Sequence, residues 1–321
     1  MPSAESAFGV QSDVRTPWRR YLDALVGLRP DLHRYCCRLA GNVWDGEDLV
    51  QDTLVRVFSL LGKMDADLAN PRAYLVRTAT HLWIDRTRRR NRERALLAAE
   101  SIDAPRQFAG DPARGADVHA AAGELMRRLP PRERAAVLLK DVFDLSLEET
   151  ASMLHTTVGA VKAALHRGRG RLDHADRDSP VSARPPSRAI VDRFVQALSA
   201  NDIDALQALC SADLTVELVG GAEIDNFEHS RMFFTHAHMV LPALGFGEHP
   251  HWTTVVYDDE PIVIGFRTLN GIEGINEVHR IEESDDRIVR VRCYCFCPDT
   301  LRLVGQHLGL TALDRPYRSP P

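Results

Sequence analysis

Residues 129–172 read LPPRERAAVLLKDVFDLSLEETASMLHTTVGAVKAALHRGRGRL, and the punctuation inside this stretch specifies three short helices. LPPRERAAVLLKDVF predicts one helix, with Pro130 or Pro131 in its first turn, where a missing N–H costs nothing. Ser146-Leu-Glu-Glu149 is a capping-box pattern that opens a second helix running to His155. After Thr156-Thr157 comes VGAVKAALHRGRGRL, whose Lys162, His166, Arg167, Arg169 and Arg171 form a basic side. Two helices joined by a tight turn, the second basic, predict a helix-turn-helix; a helical hairpin within a bundle is the plain alternative.

Toward the N-terminus, apolar residues recur at helical spacing from Trp18 to about Arg94. In DGEDLVQDTLVRVFSLL, Leu49, Val50, Leu54, Val57, Phe58 and Leu61 make one stripe, with Asp45 or a neighbour as cap and Gly62 as stop. Beside the stripe, Asp48, Gln51, Asp52 and Val55 fall at i, i+3, i+4 and i+7, a largely polar, acidic face suited to a protein partner rather than to DNA. KMDADLANPRA reads as a loop closed by Asn70-Pro71, and a further helix runs from Ala73 into RTRRRNRER, residues 86–94. Along that helix Arg77, His81, Arg88 and Arg92 share a side, with Asp85 near it. Arginines at this density, Arg86 and Arg89 included, can neutralise phosphates while their planar groups meet unstacked bases. A solvated charged helix is the bland alternative.

The chain's formal net charge is −5. Residues 1–180 hold 28 basic and 25 acidic residues, and residues 181–321 hold 12 and 20. The two halves therefore have opposite characters, and the acidic one is not expected to touch nucleic acid. Two Pro- and Gly- or Ser-containing stretches, 98–120 and 175–187, read as linkers. Beyond the second, helices at about 188–199 and 202–209 precede the strand LTVELV, and a helix follows near 228–241. Strands are expected around 251–257, 261–268, 273–283 and 286–297, then a short helix capped by Asp299 and stopped at Gly309. Helices first and an antiparallel sheet afterwards indicate an α+β domain. No apolar run is long enough for a membrane span and the N-terminus lacks secretory-signal order, so the expected location is cytoplasmic.

The order of these segments resembles bacterial RNA polymerase sigma factors of the extracytoplasmic-function group, over residues from about 18 to 172. EDLVQDTLVRVF is similar to the region 2 helix that docks on the polymerase clamp, and PRAYLVRTATHLWIDRTRRRNRER to the helix that reads and opens the −10 element. Residues 129–172 resemble region 4, which reads the −35 element. The resemblance implies polymerase contacts at Asp48, Gln51, Asp52 and Val55. It implies DNA contacts at Arg77, His81, Arg86, Arg88, Arg89 and Arg92, and at Thr157, Lys162, His166, Arg167, Arg169 and Arg171. It places a −10 pocket in the loop Met64–Asn70. Ala160, Ala163 and Ala164 stand where relatives often carry polar or basic residues, so −35 readout is expected to lean on phosphate positioning and DNA shape.

The segment from Arg188 to about residue 312 resembles the SnoaL-like branch of the NTF2-like cone fold, most clearly in CFCPDTLRLVGQHLGL. Such extensions regulate their sigma factor in cis, and cone folds of this kind also include enzymes with an Asp or His base. Asp225, His229, His236, His238 and Glu277 are candidates, but their spacing pairs none of them, and His236 and His238 point apart on a helix. Cys293, Cys295 and Cys297 would line one face of a strand with side chains parallel, which reads as an apolar stripe rather than as disulfides or a thiolate metal site.

The expected molecule is multidomain, with an all-α N-terminal half and an α+β NTF2-like cone. Region 2 is expected at 18–97, region 4 at 121–174 and the cone at 188–312. Its expected partners are core RNA polymerase, promoter DNA with −10 and −35 elements, and a small-molecule ligand of the cone. No catalysis, cofactor, metal or membrane contact is expected. The alternatives are a free-standing helix-turn-helix regulator with a ligand-binding domain, and an enzyme with a DNA-binding appendage.

Overall fold

A computed structural model describes residues 27–61, 70–100, 129–173, 185–231, 233–234, 251–269 and 271–313. The chain divides into two compact units, Met1–Ser179 and Pro180–Pro321.

Among the described residues, every regular element of the first unit is a helix. Helix α1 covers residues 27–40 and α2 covers Val43–Leu61; the chain reverses between them at Gly41, whose φ is +89°. Asn42 caps α2, its Oδ1 accepting the Asp45 N–H at 2.8 Å, so the cap is the neighbour of Asp45 rather than Asp45 itself. The two helices cross closely at Gly46, where a Cβ would come within 2.6 Å of the Cys37 backbone. Helix α3 (Pro71–Glu100) starts two residues before the expected Ala73, because Pro71 fits the first helical position and the Asn70 side chain caps the Ala73 N–H at 3.0 Å. Helix α4 (Pro131–Val137) continues as a π-helical turn over Leu138–Val142, where the Phe143 N–H reaches the Leu138 carbonyl. Helix α5 (Leu147–Met153) opens with both bonds of the expected capping box, and α6 (Val158–Asp173) completes the helix-turn-helix.

These helices share one core. Tyr35, Leu39, Leu49, Val50, Leu75 and Ala79 are buried together with Ala135, Leu138, Val161 and Leu165. Polar contacts reinforce the join. Arg134 donates from Nη1 to the Leu39 carbonyl at 2.9 Å while its guanidinium lies over the Trp83 ring at 5.0 Å. The Tyr35 ring meets Phe143 edge-on at 5.2 Å.

The second unit begins with α7 (Arg188–Ser199) and α8 (Ile203–Leu209), followed by β1 (Cys210–Leu218) and the short β2 (Glu223–Asp225). A helix α9 is described over residues 227–231 and 233–234. Strands β3 (His251–Tyr257), β4 (Glu260–Leu269), β5 (Ile272–Ser284) and β6 (Arg287–Cys293) form a meander, and α10 (Pro298–Leu308) follows. The sheet order is β2-β1-β6-β5-β4-β3, with β1 and β6 parallel and every other pair antiparallel. Asp258-Asp259 and Asp285-Asp286 turn two hairpins with positive φ, a conformation that Asp tolerates. Bulges at Gly265/Phe266 and Glu282/Glu283 interrupt the register, the usual device for bending a sheet. Ile190, Phe194 and Leu198 of α7 are buried with Val216, Val263, Ile281 and Val291 of the sheet. This is the α+β cone architecture expected from the sequence.

Three local expectations change. Strand β6 stops at Cys293, because the chain turns through Tyr294–Phe296, with the Tyr294 N–H bonded to the Val278 carbonyl at 2.8 Å. Cys293, Cys295 and Cys297 therefore do not line one strand: Cys295 sits in the turn and Cys297 precedes α10. Asp299 lies in the first turn of α10 and accepts from Arg302 at 2.9 Å instead of capping the helix. His236 and His238, residues 64–69 of the loop expected to hold a −10 pocket, and most of both linkers lie outside the described residues.

Candidate nucleic-acid interface

The arginine run occupies the second half of α3 and lies against the acidic residues of α2. Arg86 is 3.7 Å from Asp52 and Arg90 is 3.5 Å from Asp45, while Arg88 pairs within its own helix with Asp85 at 3.9 Å. Burial alone would raise the Asp45 carboxyl, but the Asn42 hydrogen bond and the Arg90 and Arg86 charges hold it below its ordinary value. Arg89 and Arg92 are exposed. Arg77 packs its guanidinium over the Tyr74 ring at 5.3 Å.

His81 is placed differently from its row. Its Nε2 lies 2.8 Å from the Met153 carbonyl oxygen, and its ring meets His155 edge-on at 4.6 Å. It thereby joins α3 to the turn of the helix-turn-helix.

On α2, Asp48 and Gln51 are half-buried, Asp52 is exposed and Val55 is 68% exposed. Gln51 donates to Glu47 at 2.6 Å. Glu47 is buried, pairs with Arg29 and lies 3.4 Å from His33, which fixes α1 against α2 behind the face. Val55 thus leaves apolar surface in water beside the Asp48 and Asp52 carboxylates, surface that gains from being covered.

Helix α6 sorts its basic residues into two kinds. Thr157 caps it, accepting the Ala160 N–H at 3.2 Å. Lys162 and His166 are exposed, one turn apart, beside a groove of about 490 Å³ that Lys140 and Arg169 also line. Arg167 and Arg171 both reach back to the buried Glu133 of α4, at 2.9 and 2.5 Å. Arg169 grips both oxygens of Asp141, at 3.0 and 2.5 Å. Glu133 and Asp141 were not legible as partners from local spacing. Ala160 and Ala163 are exposed, but Ala164 is buried, so its small side chain answers to the core and not to DNA.

Two families match the segments just described: Sigma-70 region 2 over residues 26–93, and Sigma-70, region 4 over residues 119–172. SigD of Mycobacterium tuberculosis, an ECF RNA polymerase sigma factor, is 33% identical over 161 residues, which span 47% of this chain and 74% of SigD. The chain belongs to the ECF RNA polymerase sigma factors. SigE of Mycolicibacterium smegmatis is 36% identical over 171 residues, so this sigma factor matches 50% of its own length to 64% of SigE. SigG of Mycobacterium tuberculosis is 25% identical over 292 residues, 82% of this chain and 78% of SigG, a match that extends beyond regions 2 and 4.

In the cone of this sigma factor, the pocket candidates separate. Asp225 and His229 are exposed, and their contact runs from His229 Nδ1 to the Asp225 backbone carbonyl at 3.2 Å, which is not an acid–base couple. Glu277 is buried. Its Oε1 accepts from Trp252 Nε1 at 2.7 Å, and its Oε2 lies 3.7 Å from His279 Nε2. Burial would raise this carboxyl, but the combined pull of His279, Arg267 and Trp252 outweighs it and holds the pKa at about 2. Sequence reading missed His279, although two residues apart on a strand put both side chains on one face. No helix among the described residues is long and apolar enough to cross a membrane.

Proposed function

We propose that this chain docks on core RNA polymerase through the α2 face around Val55 and recruits it to promoters, with α3 contacting the −10 element and α6 the −35 element. The observation that carries this reading is the division of labour on adjoining helices. An acidic face with an exposed valine suits a protein, and the arginine face beside it suits a polyanion. On α6, Lys162 and His166 are the residues that meet DNA, with Thr157 fixing the start of the helix. Arg167, Arg169 and Arg171 hold α6 on α4 and on the π-helical turn that continues it, and add to the positive field of α6. The cone domain regulates initiation in cis and does no chemistry of its own. Co-purification with core polymerase, followed by transcription from a promoter library, tests the reading. Absence of a complex with core, or transcription independent of any −35 sequence, overturns it.

A further inference from the structure

Glu277, His279 and Cys293 converge inside the cone: one ligand-type atom from each lies within 4.8 Å of both others, and all three residues are buried. Glu277 and His279 come from β5, and Cys293 is the cross-strand partner of His279 on β6. All three thus sit on paired strands, supports that fix a site more tightly than loops do. His279 is 3% exposed, yet neither ring nitrogen makes a hydrogen bond among the described residues. Glu277 Oε2 lies 3.7 Å from Nε2, beyond hydrogen-bond distance, and a buried imidazole without a hydrogen bond is costly unless something else takes the nitrogen.

Two further features look built. The Trp252 indole N–H bonds Glu277 Oε1 at 2.7 Å, which fixes the carboxylate and leaves Oε2 turned toward His279. Gly265 pairs with Glu277 across β4 and β5, where a Cβ would stand 2.5 Å from Glu277 Cγ and 2.9 Å from Trp252 Nε1. Only glycine leaves room for this carboxylate and its indole.

We propose that Glu277, His279 and Cys293 form a binding site for a divalent cation of the zinc class. Imidazole nitrogen, thiolate and carboxylate together suit zinc, and a tetrahedral set at its usual bond lengths spaces ligand atoms roughly 3.3–3.8 Å apart. The 3.7 Å between His279 Nε2 and Glu277 Oε2 already meets that spacing. Cys293 Sγ lies within 4.8 Å of both and must close to the same spacing on binding. Binding forms the metal–sulfur bond and releases the thiol proton to solvent, so the carboxylate and thiolate together balance the metal's charge. Three protein ligands leave a fourth position for water or a small ligand. The reading does not depend on how regions 2 and 4 act.

Cobalt(II) titration of the reduced, full-length protein, followed by zinc competition, tests it. The expected result is one cobalt per chain with a thiolate-to-metal charge-transfer band, displaced by zinc. The band disappears in Cys293→Ser and persists in Cys37→Ser. Trp252→Phe, which removes the supporting N–H together with part of a buried ring, weakens cobalt binding about 10–100-fold. The wild-type titration needs no variant to fold. A wild type without the band means that Glu277 is already satisfied by Arg267, His279 and Trp252, and overturns the proposal. So does a band that survives Cys293→Ser.

Discussion

Arg167 Nε donates to Glu133 Oε1 at 2.9 Å, tying the helix expected to meet DNA to the helix that supports it. Arg171 takes the other oxygen, and the Glu133 side chain is only 7% exposed. Glu133→Gln should therefore destabilise the helix-turn-helix by about 1–2 kcal/mol, the range for a charge-assisted bond whose cationic partners remain partly solvated. Thermal melting of the variant checks this; an unchanged Tm contradicts it.

Lys162 should behave in the opposite way. It is exposed, so Lys162→Ala should leave melting unaltered while weakening −35-dependent promoter binding by about 1 kcal/mol or more. Binding titrations on −35 variants distinguish base contact from phosphate contact: a phosphate contact lowers affinity evenly across sequences.

The α2 face predicts a binding defect without a folding defect. Asp52 and Arg86 form an exposed pair at 3.7 Å, worth about 0–1 kcal/mol, so reversing charge there should spare the fold. Asp48→Arg with Asp52→Arg, or Val55→Asp alone, should abolish co-purification with core polymerase. Retention of the complex by both variants removes α2 from the docking surface.

The arginine helix predicts a defect in promoter opening. Arg77→Ala with Arg88→Ala should reduce open-complex formation more than polymerase binding, with a shallower dependence on salt than wild type. Permanganate footprinting over a salt series reads both quantities, and equal footprints would count against α3 as the −10 reader.

Acid should weaken the cone through Glu217. Burial would raise this carboxyl, but Arg292, at 2.7 and 3.0 Å, and Arg290 hold it below its ordinary 4.5. A lowered folded-state value means that the stabilisation is complete above pH 4.5 and is lost as pH falls below it through the folded value. Glu217→Gln should lower the Tm at neutral pH and flatten its decline between about pH 5 and pH 3. A parallel decline in wild type and variant would contradict the assignment.

Much of this protein is written locally. The Ser146–Glu149 capping box, Pro131 at a helix start and the Gly309 stop each act within about one turn of chain, and the Arg86–Arg94 run is contiguous, so neighbouring residues suffice to read them. The order of those signals also identified the sigma regions. Tertiary structure decided what lies farther apart. It spent Arg167, Arg169 and Arg171 on Glu133 and Asp141, and it set His81 against the Met153 carbonyl. It also buried Ala164 in the core. In the cone, a turn after Cys293 broke the expected cysteine stripe, and strand register set Cys293 opposite His279. Spacing along a single chain cannot reveal such pairs. A cross-strand partner is fixed by where both strands end and by every bulge between them, and a one-residue slip would turn each side chain to the other face.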